Sequence, residues 1–299
     1  MRLVNIGSLN IDHCYHVDHF VAAGETLSSL DYQRNVGGKG LNQSVAAAHA
    51  GMTVLHAGKV GTDGGVLTDF LEKAGVDVSQ IAVMAERATG HAIIQIDPAG
   101  QNCIILYPGA NMAVTEEDLD RWLSGCGPED VLLVQNEVSC VPLAMQKARA
   151  RGMRVALNPS PIKPELLTWG LAMADLLLFN EVEGEALTGC KEPEAILRTL
   201  EGRYPDTELV LTLGEQGSVY SGHGHRAACP AEKVESVADT TAAGDTFTGY
   251  FLERWASGRE PEECLRRASM ASAIAVGRMG AAPSIPMASE VDAALERNV

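Results

Sequence analysis

Positive charge is scarce in this chain. Lys and Arg number 23 against 39 Asp and Glu, a formal net charge of −16 over 299 residues. Such a surface repels nucleic acid and anionic lipid, so any phosphorylated ligand must be held by a local site and not by the overall field. Aromatic residues make up only 5%, thin material for the shelf that a nucleoside base wants. No apolar run approaches the ~18 residues of a membrane span, since even the stretch 171–179 is broken by Asp175. The seven cysteines (14, 103, 126, 140, 190, 229, 264) contain no C-x-x-C pair, the pattern of reduced thiols packed as small apolar residues. Asp12 comes too early to leave room for the apolar core of a signal peptide. These absences predict a cytoplasmic protein with neither nucleic acid nor membrane as partner. A G-x-x-x-x-G-K-[ST] loop and a G-x-G-x-x-G fingerprint are both missing, which removes the dinucleotide oxidoreductases.

Hydrophobic residues at 46% and charged residues at 21% are ordinary for a globular protein. Short runs rich in Val, Leu and Ile at 3–6, 53–57, 131–134, 154–157, 175–179 and 209–213 read as buried strands. Amphipathic stretches at 65–74, 141–150 and 193–203 lie between them, and two further helices are expected near 243–257 and 261–276. Strands alternating with helices imply right-handed crossovers. The expected fold is α/β, a doubly wound, mostly parallel sheet flanked by helices, as one unit over 1–299. Two segments break the rhythm. Residues 24–36 look extended, and 91–97 with 101–107 read as a hairpin around Asp97-Pro98-Ala99-Gly100. They predict a small β lid made of excursions near 13–36 and 91–107. Ala92, Ile94 and Ile96 oppose Ile93 across the hairpin, and a sheet apolar on both faces wants cover, over a ligand or against a second copy.

Three segments carry candidate chemistry. Asp239-Thr240-Thr241-Ala242-Ala243-Gly244-Asp245 opens a helix, and the small residues at 242–244 let backbone N–H groups converge where the helix dipole favours an anion. Asp245 on the first turn would stand beside that anion, placed to take a proton from an attacking hydroxyl. Asn10 and Asp12, two apart at the end of the first strand, point to one side, close to the run Gly37-Gly38-Lys39-Gly40-Leu41-Asn42-Gln43. Their donors and acceptors suit a polyhydroxy compound, and Glu137 after the strand at 131–134 could join them. Asn180 and Glu183 follow another strand, where they either cap a helix or hold Mg²⁺ through water. His13, His16 and His19 alternate faces on an extended chain, which speaks against a metal cluster.

In this order and spacing, from 7–12 to 280–284, the segments resemble the ribokinase family of sugar kinases, the PfkB group. Its marks here are 37–43, Pro108-Gly109-Ala110-Asn111, Leu157-Asn158-Pro159-Ser160-Pro161, 180–183 and 239–247. The resemblance implies transfer of the γ-phosphoryl group of ATP to a primary hydroxyl of a free sugar. Asp245 would be the base, and the N–H groups of Ala243, Gly244 and Asp245 an anion hole opened by Ala242. Asn10, Asp12, Gly38, Lys39, Asn42 and Glu137 would hold the sugar. Thr212, Gly214, Gly217 and Ser269 would face the nucleotide, with Asn180 and Glu183 on its Mg²⁺. Asp239, the Thr241 carbonyl and the loop to Ser284 would hold K⁺, and the lid would pair two chains as a homodimer. Leu41, Asn136, Ser269 and Met279 depart from the residues common in the family, and Ala242 stands where many members carry glycine. The expected pocket offers only Lys39 against Asp12, Glu137 and Asp245, so an uncharged acceptor is favoured over a sugar phosphate. With Tyr107 the one aromatic expected in the lid, D-ribose comes first. Deoxyribose, fructose, a purine nucleoside, and a silent sensor built on the same fold stay open.

Overall fold

The computed structural model describes residues 1–297, so the last two residues of the unit expected over 1–299 lie outside it. The chain opens with β1 (Leu3–Ile6), then β2 (Asn10–His16), β3 (Asp31–Gly37) and α1 (Lys39–Ala50). Next come β4 (Val54–Gly61), α2 (Gly65–Lys73), β5 (Asp77–Met84), β6 (Gly90–Ile96), β7 (Asn102–Tyr107) and α3 (Glu116–Trp122). The middle holds β8 (Val131–Gln135), α4 (Val141–Ala150), β9 (Arg154–Asn158), β10 (Leu176–Asn180), α5 (Glu181–Thr188) and α6 (Pro193–Arg203). It closes with β11 (Glu208–Thr212), β12 (Ser218–Gly222), β13 (His225–Cys229), α7 (Ala243–Ala256), α8 (Pro261–Val276) and α9 (Ala288–Arg297).

Nine strands form one sheet in the order β13-β12-β11-β10-β9-β8-β1-β4-β5, parallel from β11 to β5. Interior strands such as Val131–Gln135 are buried at every position because helices cover both faces. Leu3, Val131 and Leu133 pack toward α1, α7 and α8, whereas Val4, Leu132 and Val134 pack toward α3, α4 and α6. The helix pair α1 and α7 meets closely: a Cβ on Gly249 would come within 2.4 Å of the Ala46 Cβ. That approach brings the start of α1 to the start of α7, where the candidate chemistry lies.

Each predicted strand appears. β4 runs four residues further than expected, through Gly58-Lys59-Val60-Gly61, paired with Ile81–Met84 of β5, and Asp118 of α3 neutralises the buried Lys59. The edge elements were not anticipated. β5 alternates exposed and half-buried residues, and β12–β13 is a hairpin whose turn residues His223 and Gly224 have φ 51° and 77°.

The remaining strands form a second sheet, β3-β2-β6-β7. The hairpin appears as β6–β7, its turn fastened by Asp97 Oδ1, which accepts from the N–H groups of Ala99 and Gln101. Of the segment 24–36, only the part from Asp31 onward is a strand. Asn10 and Asp12 require a correction: β1 ends at Ile6, and both residues belong to β2 in this small sheet. They still share a face by alternation, now on an element separate from the main sheet. The expectation of Tyr107 as the one aromatic of this region is also corrected. Tyr15 and Tyr32 belong to the small sheet with ring centroids 5.0 Å apart, and Tyr107 packs on His91, all on the face opposite Asp12. No helix among the described residues is long and apolar enough to cross a membrane.

Candidate active site

A cleft of about 240 Å³ opens beyond the C-terminal ends of β9, β10 and β11, against the N-terminus of α7. This is where open α/β sheets hold their ligands. Lys39, Asn180, Glu183, Thr212, Ala242, Gly244 and Asp245 of the expected residues line it.

The floor is the start of α7. Ala242 precedes the helix in the left-handed region at φ 63°, a conformation glycine adopts more readily and one that turns the following peptide units toward the cleft. Of the three N–H groups expected in the anion hole, that of Ala243 donates to the Thr240 carbonyl at 3.2 Å. Those of Gly244 and Asp245 have no partner among the described residues. The Asp245 side chain is 8% exposed. Its Oδ2 accepts from Asn42 Nδ2 at 2.9 Å and its Oδ1 from Gln43 Nε2 at 2.8 Å.

Next to it lies a cluster of charges. Glu137 Oε2 accepts from the Ser8 hydroxyl and, at 3.2 Å, from the Lys39 N–H. Burial pushes the Glu137 carboxyl up, a shift that Lys39 and Ser8 only partly oppose. Asp12 is pushed up to about 7, chiefly by burial and further by the Glu137 charge. Burial works against the Lys39 ammonium, but Asp245, Glu137 and Glu183 outweigh it and raise it above the ordinary lysine range. Gly38 ends β3's approach to α1 at φ 96°, which an L side chain would strain. Asn10 is held by Asn111, whose Nδ2 donates to Asn10 Oδ1 at 2.8 Å. Carboxylates flanked by amides and a single lysine recognise hydroxyl groups, not a second phosphate.

On the other side, Asn180 and Glu183 do form a capping box on α5: the Glu183 N–H donates to Asn180 Oδ1 and the Asn180 N–H to Glu183 Oε2, both at 2.9 Å. The box uses one oxygen of a buried carboxylate that also lines the cleft, so capping occupies Glu183 without closing it off from the cleft. Gly214, Gly217 and Ser269 lie outside the cleft lining. Gly217 lets its turn pass the end of β13, where a Cβ would meet the Cys229 carbonyl at 2.0 Å, and Ser269 is buried on α8 beside Cys229. Asp239 ties two loops together, accepting from the Thr241 N–H at 2.8 Å and the Gly280 N–H at 3.1 Å; further along the second loop the Ser284 hydroxyl donates to Ala281 O. The departures fall away from the cleft: Leu41 is wholly buried in the core and Asn136 Nδ2 donates to the Pro161 carbonyl at 2.6 Å.

Sequence reasoning passed over Ser8, Gln43, Asn111 and Gln135 as individual site residues. The available signal was a polar residue inside an otherwise apolar buried strand, as at Gln135, which is 0% exposed at the end of β8.

A doubly wound sheet with a buried carboxylate on the first turn of a helix, beside unengaged N–H groups, is the arrangement that suits transfer of a phosphoryl group to an alcohol. Comparison with known proteins agrees. The pattern of the pfkB family carbohydrate kinases matches residues 1–288. The ribokinase of Haemophilus influenzae is 36% identical over 96% of each chain. Among solved structures, the Arabidopsis thaliana ribokinase complexed with ribose and ATP superposes with a TM-score of 0.87 at 30% identity, covering 98% of each chain. The ribokinase of Cryptococcus neoformans in complex with ADP gives a TM-score of 0.86 at 32% identity, covering 98% of this chain and 99% of that one. The chain belongs to the pfkB family of carbohydrate kinases.

Proposed function

We propose that this kinase transfers the γ-phosphoryl group of ATP to the primary hydroxyl of free D-ribose, giving ribose 5-phosphate. The observation that carries the reading is the acceptor pocket: Asp12 and Glu137 with one lysine, a setting for an uncharged polyol. Full-length likeness to ribokinases, one of them solved with ribose and ATP, supports the choice among polyols. Asn10, Asp12, Gly38, Asn42 and Glu137 hold the sugar hydroxyls. Asp245 takes the proton of the attacking hydroxyl, and the Gly244 and Asp245 N–H groups stabilise the charge on the transferring phosphoryl group. The Lys39 ammonium lines the cleft with Glu183 and feels Asp245, Glu137 and Glu183 together, which suits it to follow that charge as it moves.

The residues fit the two cations the family implies. A single buried carboxylate suits Mg²⁺ held through water, so Glu183 with Asn180 would carry the ion that neutralises the β- and γ-phosphates when bound. The carboxylate of Asp239, between the 239–241 and 280–284 loops, with the Thr241 carbonyl and Ser284, suits an oxygen-coordinated monovalent cation, K⁺. The nucleotide would extend past Thr212 toward the turn at Gly214 and Gly217 and toward Ser269. The small sheet closes over the sugar and excludes water, so that ATP is not hydrolysed idly.

The test is ADP release from Mg-ATP with a panel of free sugars and nucleosides, with and without K⁺. Turnover on D-ribose, several-fold faster with K⁺, is expected. Turnover on another polyol alone would move the substrate, and silence in protein that still binds ATP would overturn the kinase reading.

The edge of the lid supports a homodimer. On β7, Ile104, Ile105, Leu106 and Tyr107 are each between 46% and 62% exposed, an unpaired apolar edge of the kind that invites a second copy. Sedimentation equilibrium should return twice the chain mass, and a monomer at micromolar concentration would dispose of it. The seven free cysteines suit the reducing cytoplasm, which we propose as the location.

A further inference from the structure

Asp245 is the visible end of a longer structure. Behind it, a chain of buried polar groups runs through the contact between α1, β1 and β8. Gln43 donates from Nε2 to Asp245 Oδ1, and its Oε1 accepts from Gln135 Nε2 at 2.7 Å. The same Gln135 nitrogen donates to Asn5 Oδ1 at 3.0 Å. Asn5 Nδ2 donates to the Gly40 carbonyl and the Ser44 hydroxyl oxygen, both at 2.8 Å. Asn5, Gln43 and Gln135 are all 0% exposed.

The direction of this chain is fixed at both ends. The base can only accept when it is ready to take a proton, so Gln43 must turn its NH₂ toward it and its oxygen away. At the far end the Gly40 carbonyl can only accept, so Asn5 must also present its NH₂, which leaves its oxygen facing Gln135. Gln135 therefore has to donate twice, and it does so while its own Oε1 lies buried without a partner. A buried amide that gives up its acceptor to keep two donors in use is aligned by its neighbours. The result is that a flip of Gln43 would break its bonds to both Asp245 and Gln135, which holds its NH₂ on the Asp245 carboxylate.

We infer that Gln135, which does not line the cleft, is a positioning residue for phosphoryl transfer that acts on Asp245 only through Gln43. The inference rests on the reading of Asp245 as the base. It concerns the geometry of that carboxylate, and it assigns no sugar or nucleotide contact to Gln135.

The experiment is a double-mutant cycle of Gln43→Met and Gln135→Met in the full-length enzyme, with Asp245→Asn as reference. It reads kcat, sugar KM, ATP KM and the melting temperature. The expected result is a kcat lower by about 10-fold for Q135M and about 100-fold for Q43M, with both KM values within threefold of the parent. The double variant should be no slower than Q43M alone, because the outer glutamine has nothing left to align. Gln135→Glu, nearly the same volume, covers the case in which methionine prevents folding. Its ionised form opposes two oxygens and so slows turnover, and its kcat should recover as pH falls and the acid regains a donor. Losses that multiply in the double variant, or a lower melting temperature at unchanged kcat, would overturn the inference. Full activity in Asp245→Asn would sink the base reading itself, an outcome separate from either.

Discussion

Asp245→Asn is expected to lower kcat by about 10³- to 10⁴-fold, the upper range for loss of a general base, while the dissociation constants of sugar and ATP stay within a few-fold. Three features of the structure set this split. The side chain is buried at the start of α7, where no water can stand in for it cheaply. The N–H groups beside it belong to the backbone and survive the substitution, so charge stabilisation persists. The residues proposed to hold the sugar belong mainly to other elements, β2, α1 and the segment after β8. A modest stability loss should accompany the change. Asn42 and Gln43 both donate to the carboxylate, and an amide there turns its NH₂ against one of them, costing about 1–2 kcal/mol. Single-turnover kinetics with isothermal titration of each ligand checks the expectation. A variant with kcat within tenfold of the parent would remove Asp245 from the role of base.

How much of this was legible beforehand depends on what each residue has for neighbours. Strands such as Leu176–Asn180 announce themselves because burial on both faces demands an unbroken apolar run. The start of α7 was legible because small residues followed by an acid have a local meaning at a helix N-terminus. Asn10 and Asp12 were recognised as a pair but placed on the wrong strand. Gly7-Ser8 marks a break after Ile6, but only the crossing of the chain shows that a second sheet begins there. Edge strands such as Asp77–Met84, half exposed and polar, lack the apolar signature. Asn5 and Gln135 were out of reach for a different reason. Each is one polar residue in an apolar strand, and their meaning arises only when β1 and β8 become neighbours, bringing Asn5 beside Leu133 with α1 laid across them. Local patterns carry elements and their termini, whereas a buried network exists only in the strand order.

Asp12→Asn should improve the folded protein and impair the enzyme. The carboxyl of Asp12 titrates at about 7 instead of 3.8, raised by burial and then by Glu137. The unfolded chain ionises first, so between pH 4 and pH 7 the folded state binds more protons and stability falls as pH rises. Above pH 7 the loss is complete and constant. At about 1.4 kcal/mol per pH unit the interval caps the loss near ~4 kcal/mol, and partial exposure of the side chain brings it to roughly 2 kcal/mol. The asparagine carries none of this burden. Its melting temperature should exceed that of the parent by a few degrees at pH 8 and match it at pH 4, with the difference growing in between. Sugar binding should move the other way. An ionised carboxylate accepts hydroxyl hydrogens with about twice the strength of a neutral acceptor, so the sugar KM should rise by about 10-fold at pH 8. In the parent that KM should also climb as pH drops below 7 and Asp12 takes up a proton; in the variant the part of the dependence that Asp12 carries should vanish. Melting curves across this range and sugar KM at pH 6 and pH 8 test both halves. A variant less stable than the parent at pH 8 would show that the Asp12 charge is well solvated in the folded protein.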